Sequence, residues 1–591
     1  MGGMMRRWMG AALLLAGAAT WASAHHEREF EPPSAFAMGR GVGGVAPASA
    51  TPAYLASTRI AAAGERALVI DADSGALLLD GDKPSQLAIG RDAGLLAYDP
   101  TARLAYVADR RGDRVVVVAV GDTLAQQATW KTDAEPYAIA LTPDRRTALV
   151  TTIADRKLVA YDTATGKPRW SAKLGAEPRG LAISPDGSRA LVTYLGSGMV
   201  DQITLPNHTV RHIGVEASFG TVRGEWATAF MGEDLAVVPF QSSRPVGAQN
   251  GEENTGSYGG SFFPPISHHL AFLDLAGDRQ SVAEINAQQP RALAWDDKRD
   301  ALYIAGLGSE TLTQVNHASQ LDPTQGFSIR LGGKQSCGPD GLAVTADGNV
   351  LVWCALSRSV SRIAVGEKPT VAAGPMLVAS ALDEQHHLGM ELFFTSSVHV
   401  SNFGQIACAN CHFEGRADGL SWQIHGEQLQ TPMLAARLVG TEPFKWDGGA
   451  KDLKTSVRAT VERLGGDGLS SKHLDALVAY ATAIPAVRAP TLEVAAVERG
   501  AKVFDQAGCT NCHSGAMYTD QALHKLAGSK RLVDTPSLVG LAASAPYFHD
   551  GSAATLEAVL RERGGVHGMS ETSKLLGEAE VRDLVTFLES I

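Results

Sequence analysis

Between Tyr54 and Val371 the apolar residues fall in short β-rich runs, separated by turns built on Pro-Asp, and the runs recur. AEPYAIALTPDRRTALVTTIADRKLVAYDTATGK begins at Ala134 and AEPRGLAISPDGSRALVTYLGSGMVDQITLPNHT at Ala176, a period of 42 residues. Weaker copies are LLAYDPTARLAYVADRRGDRVVVV, ALAWDDKRDALYIAGLGSETLTQV and GLAVTADGNVLVWCALSRSVSRIAV. Such a strand unit cannot bury both faces alone, so the pattern predicts radial stacking into a closed β-propeller over residues 54–371. Seven blades result if Met231 to Asp278 is one blade with an insertion; six or eight also fit. The insertion, Gln241 to His269, is rich in Gly, Ser and Asn, ends FFPPISHH and reads as a long surface loop, with His268 and His269 as a weak metal candidate.

From about Pro375 the spacing turns helical. ALDEQHHLGMELFF leads into Cys408-Ala409-Asn410-Cys411-His412, and VAAVERGAKVFDQAG into Cys509-Thr510-Asn511-Cys512-His513. Thr431-Pro432-Met433-Leu434 is echoed by Thr535-Pro536-Ser537-Leu538, and PFKWDGGAKDLKTSVRATVERLGG by PYFHDGSAATLEAVLRERGG. Each half closes on an amphipathic helix, LSSKHLDALVAYATAI and LGEAEVRDLVTFLESI. The expected fold is therefore multidomain: a propeller, then an all-α tandem of modules at 372–487 and 488–591.

The N-terminus reads as an export signal over residues 1–24, with Arg6 and Arg7, an apolar run from Ala11 to Thr20 and Ala22-Ser23-Ala24 for cleavage; 25–53 is an extension. No later run is long and apolar enough to span a bilayer, so a soluble periplasmic protein is expected. The balance of 52 basic against 63 acidic residues argues against nucleic acid as a partner. Of the six cysteines, only Cys337 and Cys354 lie outside the CxxCH motifs, and they flank one predicted hairpin where a disulfide is plausible.

In CxxCH two thiols three positions apart reach the two vinyl groups of a haem, and the adjacent histidine supplies an axial nitrogen. Zinc would want four local ligands, and a redox dithiol has no need of the histidine. Two covalent haem c groups are expected, at Cys408, Cys411 and His412 and at Cys509, Cys512 and His513.

The repeats resemble the YVTN type of propeller. The segment from about Leu382 to Ile591 resembles the bacterial di-haem cytochrome c peroxidase and MauG family through its two CxxCH motifs, FKWDGG, TPSL and APYFHDG. The resemblance implies a peroxidatic haem at His412 and an electron-input haem at His513, with hydrogen peroxide reduced by electrons from a small cytochrome or copper protein. It implies that Trp446 relays electrons between the haems, the alternative being a packing residue. Glu462 falls at the family's acid/base glutamate, the alternative being an exposed helix residue. His425 matches the histidine that caps the first iron; for the second iron the family position falls on Arg563, with Met569 or His567 as substitutes. Ca2+ is a further candidate cofactor, although Gln430 replaces the family's asparagine. The propeller is expected to dock a donor or protein substrate. Rival readings are a non-catalytic electron carrier and MauG-like oxidation of a partner protein.

Overall fold

The computed structural model describes residues 54–244, 265–320, 323–333, 335–424, 426–525, 532–561 and 576–591. The expected signal, the extension, His425, Arg563, His567 and Met569 lie outside the described residues.

Seven antiparallel sheets in chain order, at 60–88, 96–131, 136–173, 178–214, 221–284, 290–330 and 339–376, form the blades of the propeller. Within a blade, burial falls from the axis outward. In the third, Pro136–Leu141 is buried throughout whereas Pro168–Lys173 is largely exposed. The inner strand packs against neighbouring blades on both faces, so it carries consecutive apolar residues; the outer strand alternates and tolerates charge. The ring closes by packing: Ile60, Val69 and Leu78 of the first blade meet Leu351, Trp353 and Val360 of the seventh. Arg59 Nε also reaches Asp340 at 2.6 Å across this seam. Residues 54–58 lie along three inner strands, with Leu96, Leu141 and Ile183 donating backbone N–H groups to Thr58, Tyr54 and Leu55.

Three expectations change. The last strand of the seventh blade runs Thr370–Met376, past the expected end at 371. The Gln241 to His269 stretch is not loop at its ends: Leu235–Ser243 and Ile266–Asp274 are long paired strands with Gln241 opposite His268. Their polar residues are buried against the C-terminal region, which is why a loop composition hides a strand. The C-terminal region is also not all-α, since each module carries a short hairpin, Ser421–Ile424 with Glu427–Gln430 and Leu523–Lys525 with Leu532–Asp534. Cys337 and Cys354 form the plausible disulfide.

The two modules repeat one packing scheme. Helix α1 (Glu384–Phe394) crosses α3 (Ser471–Ala483), and α4 (Val494–Gln506) crosses the closing helix Glu578–Ser590. Both crossings are set by a glycine: a Cβ on Gly389 would lie 2.0 Å from the Ala476 carbonyl oxygen, and one on Gly500 2.0 Å from that of Asp583. Asp383 caps α1, and Asp452 caps α2 (Leu453–Arg463), each side chain accepting a first-turn backbone N–H.

Candidate functional site

The two CxxCH segments fold into matching 3-10 turns. His412 N–H donates to the Cys408 carbonyl at 2.9 Å and His513 N–H to that of Cys509 at 2.9 Å. None of the four cysteines is disulfide-bonded. Burial pushes the Cys408 and Cys509 thiols up to about 11, so they are protonated near neutral pH and unlike the activated thiolate of a dithiol oxidoreductase.

Both histidines are held neutral, the form that can give a lone pair to iron. Burial, with the nearby Lys445 charge, pushes His412 down to about 4. Its Nδ1 is buried without a partner at hydrogen-bond geometry, although the Pro432 carbonyl pulls weakly the other way. His513 is lowered by burial, and its Nδ1 meets the Tyr518 carbonyl at 2.9 Å, an acceptor that fixes the proton there and leaves Nε2 free. Half-buried thiol pairs beside neutral imidazoles fit covalent haem at both turns. Asp520 and His524 also approach Cys512, with ligating atoms within 4.8 Å of one another, but His524 Nε2 is engaged with Asp520 Oδ2 at 2.7 Å.

Trp446 lies where the modules meet. Asp534 N–H donates to the Trp446 carbonyl at 2.9 Å, and Gln430 N–H to the His549 carbonyl at 2.7 Å. Gln430 and Asp534 occupy equivalent positions in the duplicated sequence, as do Trp446 and His549, so the two bonds are reciprocal partners about a local pseudo-two-fold axis. The Trp446 and His549 rings stand edge to face, centroids 6.4 Å apart, and Trp446 Nε1 donates to the Gln430 carbonyl at 2.8 Å.

Glu462, at the end of α2, has an exposed side chain. The charges felt at His412 are those of Lys445 and Arg463, neither of which was singled out in the sequence. Lys445 is pushed down to about 8 by burial and by Arg463, and its Nζ donates to Thr460 Oγ1 at 2.7 Å. At Gln430, where the resemblance puts one side of a Ca2+ site, Nε2 donates to the Pro546 carbonyl, and nearby Arg437 Nη2 donates to Ser544 Oγ at 3.2 Å.

The propeller grips the first CxxCH turn directly. Asn410, fully buried within the motif, exchanges hydrogen bonds with Gln241: Gln241 Nε2 donates to its carbonyl at 3.0 Å, and its Nδ2 donates to Gln241 Oε1 at 2.9 Å. His268 Nε2 lies 3.4 Å from the same amide nitrogen, and burial pushes that imidazole down to about 3. This contact gives His268 a neutral, structural place rather than a metal site.

The next residues enter the mouth of the propeller axis. Phe413 packs edge-on against Trp226, centroids 6.1 Å apart. Arg416 meets Glu135 at 3.1 Å and Glu177 at 2.9 Å, while Glu414 lies 3.5 Å from Arg110 and 3.4 Å from Arg179. Against burial, which pushes it up, Arg110, Arg179, Arg416 and Arg291 hold the Glu414 carboxyl well below its usual range. A signal for this ring was present: Tyr137, Arg179, Arg291 and Asp340 each follow the proline that opens an inner strand.

The cytochrome c family model matches residues 497–591. Methylamine utilization protein MauG of Methylorubrum extorquens is 28% identical over 278 residues, 35% of this chain and 78% of its own length. Hydrazine synthase subunit gamma of Kuenenia stuttgartiensis is 24% identical over 257 residues, 32% of this chain and 72% of its own length. Cytochrome c551 peroxidase of Nitrosomonas europaea is 23% identical over 268 residues, 34% of this chain and 78% of its own length. The chain thus joins a seven-bladed propeller to a C-terminal third similar to MauG and the cytochrome c551 peroxidases.

Proposed function

We propose that the chain is a periplasmic di-haem c-type oxidoreductase that reduces hydrogen peroxide with electrons from a small cytochrome or copper protein. The observation that supports this reading is the reciprocal pair of backbone bonds, Asp534 to Trp446 and Gln430 to His549, which joins two modules that each carry a CxxCH turn. When bound, haem supplies iron able to accept electrons and reduce peroxide. Cys408 and Cys411 would hold the first haem and His412 its iron; Cys509, Cys512 and His513 would hold the second.

Around these groups the chain's own residues position and tune. Burial and the Lys445 charge keep His412 unprotonated, Trp446 bridges the modules, and Glu462 is the proposed acid/base group, its carboxylate open to exchange with water. His425 would be a further ligand to the first iron, and either Met569 or His567 to the second. The mouth of the propeller axis is covered by Phe413 to Arg416, so a protein substrate or donor docked on the propeller would use another surface. Similarity to MauG favours a second reading, in which the oxidising equivalents pass to side chains of a partner protein.

The test is a reductive titration of the mature chain followed by peroxide, with spin state and peroxide consumption recorded together. A high-spin haem that appears on partial reduction and consumes peroxide is expected. Two low-spin haems inert at every redox poise would leave a non-catalytic electron carrier. Glu462→Gln should slow peroxide consumption while preserving haem content; unchanged turnover would remove Glu462 from the mechanism.

A further inference from the structure

Trp446 is the tryptophan that sequence points to, but its indole N–H donates to a backbone carbonyl, which cannot take a proton. A second tryptophan beside the first CxxCH turn is placed differently. Trp422, on the strand Ser421–Ile424, is fully buried in a cluster with Ile406, Leu420 and the propeller's Ile266, and Cys411 packs against this cluster. Its Nε1 donates to Asp418 Oδ2 at 3.1 Å and to Thr431 Oγ1 at 3.1 Å.

Asp418 is itself fully buried, and its Oδ1 accepts the Leu420 backbone N–H at 2.9 Å. Arg223 of the propeller donates Nε–H to the Asp418 carbonyl at 2.8 Å, and its charge acts on the carboxylate. Arg416, two residues earlier, is fixed by Glu135 and Glu177. The propeller thus holds both sides of the segment that carries Asp418. Burial raises this carboxyl to about 6, making the carboxylate a stronger base than a solvent-exposed aspartate.

Removing an electron from indole makes its N–H strongly acidic, so oxidation in an apolar core proceeds readily where a base already accepts that hydrogen. We propose that Trp422 and Asp418 form a proton-coupled redox pair beside the first haem. In this step Trp422 loses one electron and its Nε1 proton. The proton forms an O–H bond on Asp418, leaving a neutral indolyl radical. The electron is consumed in reducing hydrogen peroxide, a reaction for which the haem that Cys408 and Cys411 would hold would supply the redox chemistry. The second electron needed to convert peroxide to two waters comes from the reduced redox partner, and the two protons come from solvent. This step rests on the peroxidase reading proposed above; the pairing of Trp422 with Asp418 does not.

The experiment uses the full chain with both haems attached and ring-deuterated tryptophan. One arm is freeze-quenched after peroxide; the other is oxidised by a flash-generated ruthenium polypyridyl complex with a sacrificial acceptor, without peroxide. Electron paramagnetic resonance should show a neutral tryptophanyl radical in both arms, lost in Trp422→Phe and kept in Trp446→Phe. In Asp418→Asn the radical should retain its N–H proton or fail to form, whereas Asp418→Glu should restore the neutral form. In the unreacted protein, ultraviolet resonance Raman should report a weaker indole N–H hydrogen bond in Asp418→Asn at unchanged haem content.

A radical that survives Trp422→Phe, or a neutral radical in Asp418→Asn, would overturn the proposal. A neutral Trp422 radical in the flash arm alone would uphold the pair and overturn the peroxide chemistry instead.

Discussion

Arg416→Met tests whether the propeller and the haem-binding region are one cooperative unit. Arg416 is 6% exposed, and its guanidinium pairs with Glu135 at 3.1 Å and Glu177 at 2.9 Å, side chains 2% and 16% exposed. With Arg110 and Arg179 it shares ion pairs with Glu135, Glu177 and Glu414, beside the Asp92 carboxylate at 3.0 Å from Arg110 and the Arg291 charge acting on Glu414. Removing one partner of a buried pair costs about 3–5 kcal/mol because the remaining charge has lost its compensation. Glu135 keeps Arg110 at 2.7 Å and Glu177 keeps Arg179 at 2.8 Å, so the lower end, about 3 kcal/mol, is expected.

Glu414→Gln alone should cost less, since its ion pairs are all longer, at 3.4–3.6 Å. The double variant leaves two arginines paired with two glutamates. One charge of each sign is removed, so the net charge of the cluster is unchanged, and a favourable coupling of about 2 kcal/mol is expected between the substitutions. The assay is urea unfolding followed at the haem absorption band and by far-ultraviolet circular dichroism. In the wild type the two probes should coincide; in Arg416→Met the haem-region transition should move to lower urea and separate. Coincident, unshifted transitions in Arg416→Met, or strict additivity in the double variant, would refute the reasoning.

Gly389→Ala and Gly500→Ala each drive a methyl into a backbone carbonyl at a helix crossing and should destabilise their module by about 2 kcal/mol or more, read as earlier haem-band loss on heating. Trp446→Phe removes a 2.8 Å hydrogen bond, costs about 1 kcal/mol, and should slow electron transfer from the second haem to the first in stopped-flow reduction; an unchanged rate would exclude Trp446 as the relay. Glu225 is fully buried with neither carboxylate oxygen at hydrogen-bond geometry, and burial raises it well above its usual range against the weaker pull of Arg223 and the Gly198 N–H. A raised folded-state value means the folded chain binds the proton more tightly. Its stabilising effect is complete below the ordinary glutamate range and is lost as pH rises through the raised value. Glu225→Gln should flatten that decline in a pH series of urea midpoints; an unaltered slope would show that Glu225 is not its source.

Periodic and local features were legible in the sequence. The 42-residue spacing reports a blade because each blade buries the same strand faces against its neighbours. CxxCH reports its turn because all its geometry lies within five residues. The Thr-Pro turns and closing helices repeat because both modules solve one packing problem, whereas the short hairpins within them escaped an all-α expectation. What escaped reading is non-local. Arg416 meets glutamates 239 and 281 residues away, and no periodicity marks such a pair. Gln241 to Ser243 look like loop because their polar groups are buried in protein contacts, Gln241 against Asn410 and Ser242 against the Phe219 carbonyl, instead of facing solvent. Asp418 and Trp422 looked ordinary because the hydrogen bond that distinguishes them appears only once the segment folds.

The grip on Asn410 carries a consequence for assembly. Within the first motif Asn410 is sealed beneath the propeller, whereas Asn511, its counterpart in the second, is exposed. On the proposed function, machinery that grips the whole first motif would have to act before Asn410 seats on the fifth blade, whereas Asn511 stays within reach after docking. Cofactor loading would then have an order, first motif before closure, with the docked propeller as the latch that ends the first window.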